Sequence, residues 1–195
     1  MDREACRELL RRRFVLLSVE GSAEGEVMRS LIENDALLVD RMHLVSDHND
    51  PTRLYTRTRK ASTIAEQYFS VDYRSATADG LLIARITDTS SGRFELPRRV
   101  RDDAEVLSFL TKPEIEMLVI HREGAFREWE RASRRDRGLR PKEFCKQTLG
   151  LKNVEETGFL RDYWSDCDAL RRAIVDYSRA AHRGRGELML ADLLK

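Results

Sequence analysis

Two short apolar runs constrain the fold more than any other feature of this sequence. Phe14-Val15-Leu16-Leu17-Ser18-Val19 and Leu81-Leu82-Ile83-Ala84-Arg85-Ile86 have the length of buried strands and almost no alternation between apolar and polar residues. Strands covered on both faces, as in parallel sheets, read in this way. Each run stops abruptly on an acid: Glu20 before Gly21, and Asp88 one residue beyond Thr87 and ahead of the small polar stretch Thr89-Ser90-Ser91-Gly92.

The residues between the runs supply their crossover. Ser22 is placed to cap a helix carrying Val27, Met28, Leu31 and Ile32 on one face, and Asn34-Asp35 closes it. Residues 36–39 read as a second short strand, residues 43–58 as a polar stretch with a turn at His48-Asn49-Asp50-Pro51, and residues 63–69 as a helix. A further short helix fits residues 3–12. From about residue 101 the chain reads as wholly helical. A capping-box pattern at Thr111-Lys112-Pro113-Glu114 starts a helix expected to reach about Trp129, and further helices fit 141–149, 156–164 and 166–181. The apolar tail 188–194 reads as a short docking helix. The expected fold is therefore α/β: a small parallel sheet flanked by helices over residues 1–125, with an all-helical extension, 126–195, packed on it.

A chain of 195 residues buries roughly 70% of its unfolded surface, enough for a substantial core. The formal net charge of +1 selects no partner, but local charge is uneven. Arg53, Arg57, Arg59 and Lys60 form a basic run. Residues 131–146 hold seven basic side chains against Asp136 and Glu143. Such stretches bind phosphates or serve as solvated surface. Cys6, Cys145 and Cys167 are odd in number and widely spaced, which suggests neither a disulfide framework nor a zinc knuckle. Without a signal-peptide profile or an apolar run of about 20 residues, a cytoplasmic protein with no membrane partner is expected.

Ligands in open parallel sheets bind outside the carboxyl ends of the strands. Glu20 and Asp88 would share one rim if their strands are neighbours. Two carboxylates held together repel, and a hard cation such as Mg²⁺ or Mn²⁺ relieves the repulsion through oxygen ligands. A metal held there neutralises phosphate charge and activates water.

The segment Val19-Glu20-Gly21-Ser22-Ala23-Glu24 resembles the opening signature of TOPRIM-type domains, found in topoisomerases, primases, overcoming-lysogeny-defect nucleases and small bacterial defence proteins. In that family a glutamate ending the first strand works with an Asp-x-Asp ending a later one, and Asp88 matches the first aspartate. Pro113-Glu114-Ile115-Glu116 resembles the proline–x–aromatic–glutamate helix of RloB-like TOPRIM proteins, with Ile115 in place of the aromatic. The resemblance covers about residues 14–125. It implies Glu20 as metal ligand or general base, Asp88 as the main metal ligand and Glu116 as an auxiliary carboxylate. The sequence departs from the pattern at Asp88-Thr89-Ser90, where serine replaces the second acid; Glu95 or Glu116 would have to substitute.

The expected function is a metal-dependent phosphodiester hydrolase or phosphoryl-transfer enzyme acting on nucleic acid, as in defence against phage or mobile DNA. Arg140, Lys142, Lys146, Arg57 and Lys60 would position the backbone through its phosphates. If a helix starts at Pro141, its N-terminal end joins Arg140, Lys142 and Lys146 in meeting a phosphate. The competing expectation is a TOPRIM-like domain with a degraded site that binds a protein or nucleic-acid partner. A nucleotide-binding regulator lacks support because no Gly-rich phosphate loop is present. Glu24 also reads as a favourable charge in a helix's first turn, His121 as a structural histidine, Cys145 as a packed thiol, and Trp129, Tyr163, Trp164 and Tyr177 as core.

Overall fold

The two apolar runs are adjacent strands of one parallel sheet in the computed structural model, which describes residues 3–88 and 94–195. In chain order the elements are α1 (Arg3–Arg12), β1 (Phe14–Val19), α2 (Ser22–Glu33), α3 (Ala61–Tyr68), β2 (Leu81–Thr87), β3 (Ala104–Leu110), α4 (Met117–Arg122), α5 (Phe126–Arg135), α6 (Pro141–Gln147), α7 (Thr157–Tyr163), α8 (Cys167–Ala180) and β4 (Leu188–Met189). The sheet runs β1-β2-β3-β4 with every neighbouring pair parallel. The α/β class with a flanked parallel sheet and a mainly helical C-terminal part is as expected.

Both faces of the sheet are covered, which is why β1 and β2 lack alternation. Val15, Leu17, Val19, Leu82, Ala84, Ile86 and Phe109 pack on one side with α2, α4 and α8. Leu16, Leu81 and Ile83 pack on the other with Ile64, Ala65 and Tyr68 of α3, and with Leu96 and Val100. Trp129, Trp164 and Tyr177 are buried in the larger core, and Tyr163 lies half-buried against it. All three cysteines are free and buried.

Four expectations are corrected. Residues 36–39 do not form a strand of the sheet. Leu37 makes one antiparallel bridge to Leu194, while Ala36, Leu37 and Val39 are buried as cover. The outer edge of β1 is instead protected by the polar stretch: Val45 donates to the Val15 carbonyl (3.0 Å), Thr56 to that of Leu17 (2.8 Å), and Val19 to that of Thr56 (2.9 Å). Those bonds satisfy backbone groups that an open edge would expose.

The region after residue 101 is not wholly helical, because Ala104–Leu110 is β3, inserted between β2 and β4. Its apolar set is short enough to suit either a strand or a helix, and pairing with β2 decides the outcome. The expected helix over 111–129 is two helices. Thr111 donates its amide (2.9 Å) and its hydroxyl (3.3 Å) to the Thr87 carbonyl, and Glu114 accepts from the Lys142 amide (3.2 Å), so neither side chain caps a helix at Thr111. Gly124, at φ 67°, then separates α4 from α5. Finally, the apolar tail docks as β4 and a 3₁₀ turn, Leu190–Leu193, rather than as an α-helix.

Phe109 tests the inserted strand. It is completely buried on β3, whereas Glu105 on the same strand is exposed. Phe109→Ala is expected to cost about 3–5 kcal/mol in denaturant unfolding, and Glu105→Ala to stay within about 0.5 kcal/mol. Similar small effects at both positions would contradict the placement of β3.

Candidate metal centre

Parallel pairing aligns Val19 with Ile86, so β1 and β2 deliver their next residues to one edge. Glu20 bends toward β2, where Thr87 Oγ1 donates to Glu20 Oε1 (2.8 Å) and the Asp88 amide donates to Glu20 Oε2 (3.3 Å). The two carboxyl groups are close enough for each to feel the other's charge. Asp88 is pushed above the usual carboxylate range. Burial is the largest cause, followed by the charge of Glu20; Glu114 pushes the same way and Arg140 opposes.

Asp88 forms one wall of a cleft of about 280 Å³ that continues over the start of α2 and the segment before α4. Gly21, rather than the expected Ser22, occupies the cap position of α2 and offers no side-chain bond. The Glu24 carboxylate folds back toward Gly21, where a Cβ would stand 2.9 Å from its Oε2. Burial raises the Glu24 pKa, with Glu20 and Asp88 adding to the rise. Across the cleft, Glu116 is pushed up to about 7, chiefly by burial and then by the charges of Glu114 and Glu24.

The basic wall is only partly available. Arg140 is ion-paired with Glu114, and Glu114 also accepts from the Lys142 amide at the start of α6. The position expected for a phosphate at that helix end is therefore held by a carboxylate. Lys142 Nζ reaches Glu155 Oε1 (2.8 Å), and Lys146 pairs with the other oxygen of Glu155.

The structure thus brings together Glu20, Asp88, Glu116, Arg140 and Lys142, with Lys146 held beside them through Glu155. Arg57 and Lys60 lie elsewhere: Arg57 lines a separate cavity, and Lys60 is exposed ahead of α3. Glu95 is exposed and does not line the acid cleft. Ser90, the departure from Asp-x-Asp, lies outside the described residues. His121 stacks on Phe126 with ring centres 4.5 Å apart, away from the cleft lining. Two residues of the cleft were not singled out as members by sequence reasoning. Glu114 carried a signal in its i,i+2 spacing from Glu116; Glu155, in the loop before α7, carried none.

Among the described residues, no group of three or more His, Cys, Asp or Glu side chains already stands in a metal-ligating arrangement. The donors nevertheless suit a hard cation: they are carboxylate oxygens, and Asp88, Glu24 and Glu116 are raised first by burial and then by the charge of neighbouring carboxylates.

A pH dependence follows. Between the ordinary glutamate pKa of about 4.5 and the value near 7, folded Glu116 holds a proton that the unfolded chain has released. Stability therefore falls as pH rises through this window and levels off above it. Asp88 and Glu24 act in the same direction. Glu116→Gln is expected to flatten the fall and to stabilise the protein on the order of 2 kcal/mol at pH 8, with little change near pH 4.5, measured by urea unfolding. An unaltered pH profile in the variant would contradict the crowding of charge around Glu116.

Comparisons of the chain with family models, with curated proteins and with solved structures return no match.

Proposed function

We propose that the acid cleft is the centre of a metal-dependent phosphodiester hydrolase or phosphoryl-transfer enzyme of the TOPRIM type, acting on nucleic acid. The observation that carries this reading is the juxtaposition of Glu20 and Asp88, joined through the Asp88 amide, at the carboxyl ends of adjacent parallel strands. Crowded acids are costly where nothing offsets their charge, and this half-buried pair has three further carboxylates around it, of which Glu24 and Glu114 are buried and Glu116 is half-buried.

In this reading Asp88 and Glu20 hold Mg²⁺ or Mn²⁺, with Glu116 as an auxiliary carboxylate. The ion, when bound, supplies neutralisation of phosphate charge and a more acidic water. Glu20, oriented by the Thr87 hydroxyl, serves as that metal ligand or alternatively as the general base. Glu116, titrating near 7, is able to take up or release a proton at neutral pH. Arg140 and Lys142 are positioned to meet backbone phosphates once Glu114 and Glu155 yield them. A cytoplasmic role in defence against phage or mobile DNA is the biological setting that the TOPRIM resemblance suggests.

A second reading draws on two specific features: Ser90 in place of the second aspartate, and the Arg140–Glu114 ion pair that occupies the basic wall. Under it the domain is catalytically degraded and binds a protein or nucleic-acid partner.

Nicking of supercoiled DNA and cleavage of RNA in Mg²⁺ or Mn²⁺ separate the two. The enzyme reading expects metal-dependent cleavage by wild type. Glu20→Gln and Asp88→Asn should each lose more than the roughly 10–100-fold typical of outer-shell changes. Cleavage unchanged in both variants would remove the site assignment, and a wild type inert on both substrates would favour the binding partner.

A further inference from the structure

A second cleft, of about 330 Å³, lies between the later turns of α2, the segment 50–57 and the start of α7. Five arginines line it, Arg29, Arg41, Arg53, Arg57 and Arg161, against three acids, Glu26, Glu33 and Asp50. Three of the guanidinium groups are anchored. The buried carboxylate of Glu26 holds Arg29 (2.7 Å) and Arg161 (3.5 Å), and Glu33 holds the other end of Arg29 (2.5 Å). Buried Asp47 holds Arg53 (3.1 Å), which stacks over Tyr55 with its Nε left without a hydrogen-bond partner. Gly25 lets α2 approach this segment closely, since a Cβ there would stand 3.1 Å from the Tyr55 ring.

Two arginines have no carboxylate within ion-pairing distance among the described residues. Arg41 touches only the Ile32 carbonyl (3.4 Å), and Arg57 is exposed. The cleft therefore combines a guanidinium floor held by carboxylates with a rim where two arginines outnumber one acid, Asp50, which is held by the Thr52 hydroxyl (2.6 Å), an arrangement suited to a multiply hydrogen-bonding oxyanion.

One helix joins this cleft to the other. Ser22 and Glu24 of α2 line the acid cleft, while Glu26, Arg29 and Glu33 line the arginine cleft. At 1.5 Å per residue the two stretches lie about 10 Å apart along the axis, which is about three nucleotides of a helically stacked strand at 3.4 Å of axial rise each and fewer of an extended one. We propose that the arginine cleft is a phosphate-binding subsite that takes the backbone of a nucleic-acid strand lying along α2, remote from the phosphate at the acid cleft. The identity of the ligand rests on the function proposed above; the affinity of the cleft for phosphate groups does not.

The test uses a fluorescently labelled single-stranded DNA oligonucleotide in EDTA, with binding followed by anisotropy over a salt series. The double variant Arg41→Ala/Arg57→Ala removes these two charges without leaving a buried acid unpaired. It is expected to bind roughly tenfold more weakly, with the slope of log K against log salt reduced by about 0.7 for each phosphate that is no longer neutralised. A control losing the same charge from α8, Arg172→Ala/Arg179→Ala, is expected to stay within about twofold of wild type. Equal weakening in the two double variants, or wild-type affinity and slope in the first, overturns the proposal. Competition by inorganic phosphate supplies a further arm: loss of phosphate binding with oligonucleotide binding intact would assign the cleft to a small phosphate ligand and overturn the strand path. Oligonucleotide binding that depends on Arg41 and Arg57 in a protein that never cleaves would leave the subsite standing while the enzyme reading falls. Cleavage that depends on Asp88 with Arg41 and Arg57 dispensable for binding would do the reverse.

Discussion

Parallel pairing between β1 and β2 sets the height at which each strand releases its last residue, and the acid cleft is a consequence of that register. With Val19 level with Ile86, Glu20 emerges beside Thr87 and one step from Asp88. A one-residue slip would turn the side chains of one strand to the opposite face and part the two acids. The register is held by what lies behind it, a strand core buried on both faces and flanked by α2, α4 and α8 on one side and α3 on the other.

That framework tolerates an unfavourable electrostatic arrangement at its edge. Glu20, Asp88, Glu24 and Glu116 are close enough for burial and mutual repulsion to raise three of them above their ordinary range. The protein relieves the repulsion in two visible ways: the Thr87 hydroxyl and the Asp88 amide donate to Glu20, and Arg140 and Lys142 approach from the far wall. Neither is complete, because Glu114 and Glu155 draw the cations toward themselves. Perturbed carboxylates in a cleft at strand ends are the physical signature from which the functional proposal is built.

The strands that carry the acids were legible in the sequence because burial on both faces leaves an unbroken apolar run. β3 was not, since Ala104-Glu105-Val106-Leu107 mixes exposed and buried positions and only pairing with β2 selects a strand. Residues 36–39 misled for the opposite reason: an apolar run fits a strand, but here it covers the core beside the C-terminal segment. Glu20, Asp88 and Glu116 were visible as candidates from strand ends and motif. Glu155 was not, because a loop acid meets the cleft only through the packing of the helices after residue 126. Arg57 was visible as a charge, but its separation from the acid cleft follows from the path of residues 43–58 along β1, which no local pattern specifies.

In the proposed function a divalent cation settles at the Glu20–Asp88 edge, and protons leave the carboxylates crowded around it, of which Glu116 titrates at about 7. Calorimetric titration with Mn²⁺ near pH 6.5, in two buffers of different protonation enthalpy, measures this exchange directly. Binding should release protons, because Glu116 is partly protonated at this pH, and Asp88→Asn should abolish the binding and with it the release. Binding without proton release, or release undiminished in Asp88→Asn, would contradict the account.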